Sequence, residues 1–225
     1  MTRNNNLYTL TSCALMAAVL CILAPMVVPI GPIPISLASF LLYITAYILG
    51  GRSALISCGI YVLLGAAGLP VFSGYAGGLA KLTGPTGGYI IGYLFMVYIA
   101  GKLIDKFCRT GQMDNSQHSD KARSSAQPEQ SVQPGVSAQT GSSSQPDASA
   151  KRCIFMSIAA MVIGTAVLYL FGTIWFVVLM KCDIPYALSV CVFPFIPLDI
   201  LKIIAATFIG KAVRTAMEKA HLLPA

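Results

Sequence analysis

The chain has 225 residues, of which 56% are hydrophobic and only 10% charged. Soluble domains carry about 25% charged residues, so this composition excludes an ordinary soluble fold and points to a single integral membrane domain. The net charge of +7 would suit a nucleic-acid surface, but the basic residues fall in the connections between apolar runs, and so read as membrane topology with no nucleic-acid partner.

In chain order, a first span is expected over residues 7–28, ended by Pro25 and Pro29. It reads as a retained span, not a cleaved leader, because Leu10-Thr11-Ser12-Cys13 is a poor lipobox. Gly31-Pro32-Ile33-Pro34 makes a turn-rich connection. Gly50-Gly51-Arg52 then divides an apolar stretch into two short spans, about 37–49 and 53–67. About 20 residues cross a bilayer unaided, so spans this short need packing partners.

Residues 68–93, GLPVFSGYAGGLAKLTGPTGGYIIGY, hold eight glycines and two prolines with one charge, Lys81. Each Gly or Pro costs roughly 1 to 3 kcal/mol in a helix interior, so no ordinary helix runs through here. The segment is too apolar for a solvated linker. Irregular backbone at membrane depth is tolerated where it lies against protein or lines a cavity. Two readings stay open on the residues alone: a loop folded over a ligand pocket, and a Gly-rich hairpin between two spans.

A fourth span is expected over 87–103, followed by Lys102, Asp105, Lys106 and Arg109 at an interface. Residues 112–150 contain no Leu, Ile, Phe, Tyr or Trp, too little apolar surface to offset the entropy of ordering. They read as a disordered insert. A fifth span over 154–180 and a sixth over 186–213, bent near Pro194 or Pro197, complete the chain. The expected fold is therefore an all-α integral membrane protein of six transmembrane helices. Its membrane parts are 1–110 and 151–225, the insert is 111–150, and a re-entrant or capping Gly-rich loop joins helices 3 and 4.

With the N-terminus inside, Arg52, Lys102, Lys106, Arg109, Lys151, Arg152, Lys211 and Arg214 all fall on the inner side. Lys81 and Lys181 fall outside. This asymmetry predicts cytoplasmic termini, with the Gly-rich segment opening outward. The seven cysteines contain no C-x-x-C pair and most lie in apolar segments, so they read as small buried hydrophobes, without zinc or a disulfide framework.

Asp199 and Lys202 lie three apart in the sixth span, on one helix face. Ionisable groups this deep cost about 2.5 to 3.5 kcal/mol on insertion scales and usually face a cavity or a partner. Mutual neutralisation is one reading; a shared pocket wall is the other. Phe72, Tyr75, Tyr89 and Trp175 could supply the apolar wall of a pocket, or serve ordinary packing. The N–H groups of Gly87 and Gly88, at the start of the fourth helix, would suit an anion. Lys81 is a second candidate for that anion, or a solvated loop charge.

GLPVF at 68–72, GPTGGY at 84–89 and PFIPLDILK at 194–202, in this order, resemble the signature of the BioY family, the biotin-capturing S components of energy-coupling factor (ECF) transporters. The resemblance spans nearly the whole chain except the insert. It implies biotin as ligand, no cofactor, and residence in a bacterial inner membrane. It further implies substrate contacts at Asp199 and Lys202, with Thr86, Gly87, Gly88 and Tyr89 in the GPTGGY block and Tyr75 and Lys81 nearby as further candidates. Partners would be a transmembrane T component, which the Ala14/Ala18 face of the first span would meet, and ATPase subunits. On pattern alone, that Ala pair is near chance.

No G-x-x-x-x-G-K-[ST] loop occurs, and the two histidines, His118 and His221, lie in the insert and the tail. ATP hydrolysis by that motif and metal chemistry therefore have no sequence support. Rival expectations are a stand-alone biotin carrier coupled to protons through Asp199, an S component for a different vitamin, and a membrane-embedded enzyme or assembly factor.

Overall fold

The computed structural model describes residues 2–28, 35–109 and 147–219. It is built from α1 (Thr2–Leu23), a pair of two-residue strands β1 (Val27–Val28) and β2 (Ile35–Ser36), α2 (Ala38–Leu49), α3 (Gly51–Ala66), the short α4 (Leu79–Thr83), and α5 (Gly87–Ile104) with a π-helical turn at Asp105–Arg109. After these come α6 (Asp147–Met180), α7 (Ile184–Cys191) and α8 (Ile196–Lys219). The strands pair antiparallel, Val27 opposite Ser36.

Several boundaries differ from expectation. The first helix stops at Leu23, not near Val28, because Pro25 disfavours helical backbone just before it. The division expected at Gly50-Gly51-Arg52 narrows to one residue: Gly51 is already helical, and Gly50 stands between two helices at φ 77°, a conformation that glycine adopts without steric cost. The insert expected at 111–150 lies outside the described residues up to 146, but Asp147 is already helical. An apolar helix extends cooperatively into neighbours that do not break it. The turn at Gly31-Pro32-Ile33-Pro34 also lies outside the described residues. Cys153 departs from the expectation of unpaired thiols, being disulfide-bonded.

Gly87–Phe107 and Arg152–Met180 are long and apolar enough to cross a membrane. The pair Ile184–Cys191 and Ile196–Met217 forms a third candidate if taken together; it bends by 46°. Pro194 and Pro197 explain the break, since a proline ring clashes with the preceding turn and removes a donor. Leu7–Leu23, Ala38–Leu49 and Gly51–Ala66 are shorter apolar helices.

The outside of the bundle is apolar, with Leu63, Phe155 and Val178 each 71% exposed. The inside carries hydroxyls that bond within the protein. Thr45, Thr165 and Thr207 donate to carbonyls four residues back, and Tyr43 Oη lies 2.7 Å from Thr165 Oγ1. This is the distribution a hydrocarbon solvent selects.

α5 packs along α6 and against α2 and α3; α1 lies on α3, and α2 on α8. α5 and α3 touch backbone to backbone. A Cβ on Gly101 would stand 2.6 Å from Gly51 Cα, so only hydrogen fits at the crossing. There the Asp105 carboxylate accepts the Gly51 N–H at 2.9 Å, placing negative charge at the positive end of α3. Chain direction then orders the charges. Arg52, Lys102, Lys106, Arg152, Lys211 and Arg214 fall at the Asp105 end of the helices. The end of α1, the start of α2 and the starts of α5 and α8 meet at the other.

Candidate functional site

At that second end the glycine-rich stretch folds into a cap. Gly74 N–H bonds Pro25 O at 3.0 Å, Gly78 N–H bonds Gly65 O at 2.7 Å, and Phe72 bridges to Ala76. The Phe72 ring is fully buried, edge-on to Tyr61 at 5.6 Å between centroids. Trp175 Nε1 donates to Gly84 O at 3.0 Å and so ties the cap to α6. A continuous set of backbone and indole hydrogen bonds therefore holds the irregular segment, as polar backbone away from water requires.

Beneath the cap lies a cavity of about 350 Å³, within the range of small-ligand sites. The cap contributes Phe72, Lys81 and Thr86, α5 contributes Tyr89 and Tyr93, α6 contributes Tyr169, and α8 contributes Asp199 and Lys202. Tyrosine rings and aliphatic side chains make most of the wall apolar, with the polar groups convergent on α8.

Asp199 is buried, its side chain 8% exposed. Tyr169 Oη donates to its Oδ2 at 2.6 Å. Its Oδ1 stands 3.2 Å from Lys202 Nζ and has no hydrogen bond of good geometry. Lys202 also donates to Ser36 O and Ser39 Oγ, both at 3.1 Å, which ties α8 to the strand pair and the first turn of α2. The acid and base are thus both paired with each other and turned into the cavity, so the two readings open from sequence hold together. Tyr89 Oη is buried and has no hydrogen bond of good geometry among the described residues; Thr173 and Cys191 are its neighbours. The Tyr89 ring lies on Gly172, where a Cβ would collide with it. A buried polar atom without a partner costs about 1 to 3 kcal/mol, so Tyr89 Oη and Asp199 Oδ1 mark where a ligand's polar groups would be rewarded.

Of the residues expected from sequence, Asp199, Lys202, Tyr89, Thr86, Lys81 and Phe72 line the cavity. Tyr75, Gly87, Gly88 and Trp175 do not. Tyr75 is 64% exposed, in the left-handed region at φ 58°. Gly87 N–H is taken by Gly84 O at 3.0 Å, which removes it as an anion donor. Gly88 is where α5 meets the Cβ of Trp175. Ala14 and Ala18 are exposed on α1, away from the cavity lining. Tyr169, Ser39 and Tyr93 were not legible. They lie in no motif, and the one available signal was a hydroxyl inside an otherwise apolar segment.

A family model described as "BioY family" matches residues 1–219. Similar proteins include "Biotin transporter BioY2" of Lactococcus lactis subsp. cremoris, 27% identical over 96% of this chain and 95% of that one. "Biotin transporter BioY" of Rhizobium etli is 28% identical over 94% of each. "Biotin transporter BioY" of Thermotoga maritima is 43% identical over 79 residues, 35% of this chain and 47% of that one. Among solved structures, the S-component for biotin from an ECF-type ABC transporter superposes with a TM-score of 0.68 at 26% identity, covering 96% of this chain and 95% of that one. A family match that covers residues 1–219 makes this protein a member of the BioY family.

Proposed function

We propose that the protein is the biotin-binding membrane component of a vitamin importer. It would capture biotin at the cap end and depend on a transmembrane T component and ATPase subunits for uptake. The observation that carries this reading is Asp199 Oδ1, a buried carboxylate oxygen with no hydrogen bond among the described residues, beside Lys202 in the cavity wall. Biotin offers a ureido ring with two N–H groups and one C=O, a thioether ring, and a carboxylate on an alkyl chain. A carboxylate oxygen accepts an N–H; the tyrosine-rich wall takes the ring and chain; Tyr89 Oη can donate to a carbonyl.

In this reading the two long helices, the bent α7–α8 pair and the three shorter apolar helices make six membrane crossings. The basic end lies in the cytoplasm, as the distribution of Lys and Arg favours, and the cap faces outward in a bacterial cell membrane. Residues 111–146 form a cytoplasmic insert. The exposed Ala14/Ala18 face of α1 offers small residues for close approach by the T component. The role is capture and not catalysis, and it needs no cofactor.

The test is equilibrium binding of labelled biotin to the purified chain, with other vitamins as competitors, followed by uptake in vesicles with and without the partner subunits and a protonophore. Saturable biotin binding with uptake only in the presence of partners is expected. Protonophore-sensitive uptake by the chain alone would replace this reading with a stand-alone carrier, and preference for another vitamin would replace the substrate.

A further inference from the structure

Two lysines line the cavity, and they are in different electrostatic states. Lys202 donates to Ser36 O and Ser39 Oγ, both at 3.1 Å, and forms an ion pair with Asp199 Oδ1 at 3.2 Å. Two of its donors are engaged within the protein and its charge is balanced by Asp199. A ligand carboxylate brought here would displace one of these bonds and sit beside an existing carboxylate, which Tyr169 holds in place through Oδ2. This corner suits a neutral donor–acceptor group and is unfavourable for an anion.

Lys81 is otherwise situated. It stands in the last turn of α4 within the cap and lines the same cavity. No acid among the described residues forms an ion pair with it. Thr86, also in the lining, immediately precedes the first turn of α5, so the positive end of that helix dipole also borders the cavity. The half-buried setting of Lys81 keeps its ammonium less screened than on an open surface.

We infer that Lys81 reads the ligand's carboxylate, while the α8 corner reads its neutral polar group, so that the site selects the free acid over esters and amides of the same vitamin. The inference rests on the biotin reading and refines it. Biotin joined through its carboxylate to a lysine or a peptide would lose the Lys81 contact and bind more weakly.

The test is equilibrium competition with biotin and biotin methyl ester, on the full chain and on Lys81→Met, Lys81→Arg and Lys202→Met. The wild type is expected to prefer biotin by about 10- to 100-fold, the range of one charge-assisted hydrogen bond. Lys81→Met should lose that preference while its affinity for the ester stays within about twofold, which also reports that the variant is folded. Lys81→Arg should retain most of the preference. An acid preference that survives in Lys81→Met overturns the inference, as does one that disappears in Lys202→Met and not in Lys81→Met. A wild type that binds both ligands equally well also overturns it and leaves the biotin reading intact. A wild type that binds neither removes the biotin reading itself and the inference with it.

Discussion

At the scale of single residues, the cavity contrasts polar groups that are satisfied within the protein with ones that are not. Tyr169 Oη has a partner, Asp199 Oδ2 at 2.6 Å; Tyr89 Oη has none. Tyr169→Phe is therefore expected to lower both thermal stability and biotin affinity, because it leaves a buried carboxylate oxygen without its donor. Tyr89→Phe removes no hydrogen bond of good geometry among the described residues. Its melting temperature should be unchanged or slightly raised, while biotin affinity falls about tenfold, the worth of one ligand hydrogen bond. Thermal unfolding and binding measured on the same preparations separate the two effects, and a Tyr89→Phe protein with undiminished affinity would assign that hydroxyl to packing. Asp199 and Lys202 were legible in the sequence because charge in an apolar span is rare and three-residue spacing puts both on one face. Tyr169 was not, because its partner lies thirty positions away and no local pattern encodes such a contact. The anion role read for Gly87 N–H failed for a related reason: the tight turn from Gly84 already uses that donor.

At the scale of elements, glycine serves two purposes. In the cap it permits turns such as Gly78, at φ 87°. At the α3–α5 crossing it permits contact, because a Cβ on Gly101 would stand 2.6 Å from backbone atoms of Gly51. Gly101→Val is expected to destabilise the fold by about 1 to 3 kcal/mol through overpacking, measured as a lower denaturation midpoint in detergent. Biotin affinity of the folded fraction should not change, since the crossing lies at the end of the bundle opposite the cavity. Loss of affinity without loss of stability would mean that the two ends are coupled. The elements were largely readable from apolar runs punctuated by Gly and Pro. The boundaries that moved did so for local reasons: Pro25 ends α1 early, and cooperative extension starts α6 at Asp147. The break between α7 and α8 followed from Pro194 and Pro197, but its 46° bend depends on packing that the sequence does not display.

At the scale of the whole molecule, an apolar exterior surrounds hydroxyl-bearing helices, and the cavity end stands opposite a basic end. The π-helical turn Asp105–Arg109 packs on α6, so the two segments that residues 111–146 join are already neighbours. Replacing 111–146 with a short Gly/Ser linker should leave biotin affinity within about twofold, because the described lining is complete on either side of this stretch and a flexible linker imposes no geometry. A large loss in the shortened protein would assign the insert a part in the fold or the site. The order of spans and the gathering of basic residues at one end were legible from composition. The wiring of the cavity was not, because it depends on side chains from the cap, α2, α5, α6 and α8 meeting in space.

In the proposed reading Asp199, held by Tyr169 and Lys202 beneath the cap, binds biotin. Equilibrium binding of labelled biotin to the purified chain and to Asp199→Ala tests it most directly. The account predicts saturable, one-to-one binding by the wild type. It predicts a loss of about 100-fold or more in the variant, the cost of removing a charged hydrogen-bond partner, with Asp199→Asn intermediate. A folded Asp199→Ala protein that binds biotin as tightly as the wild type would contradict it.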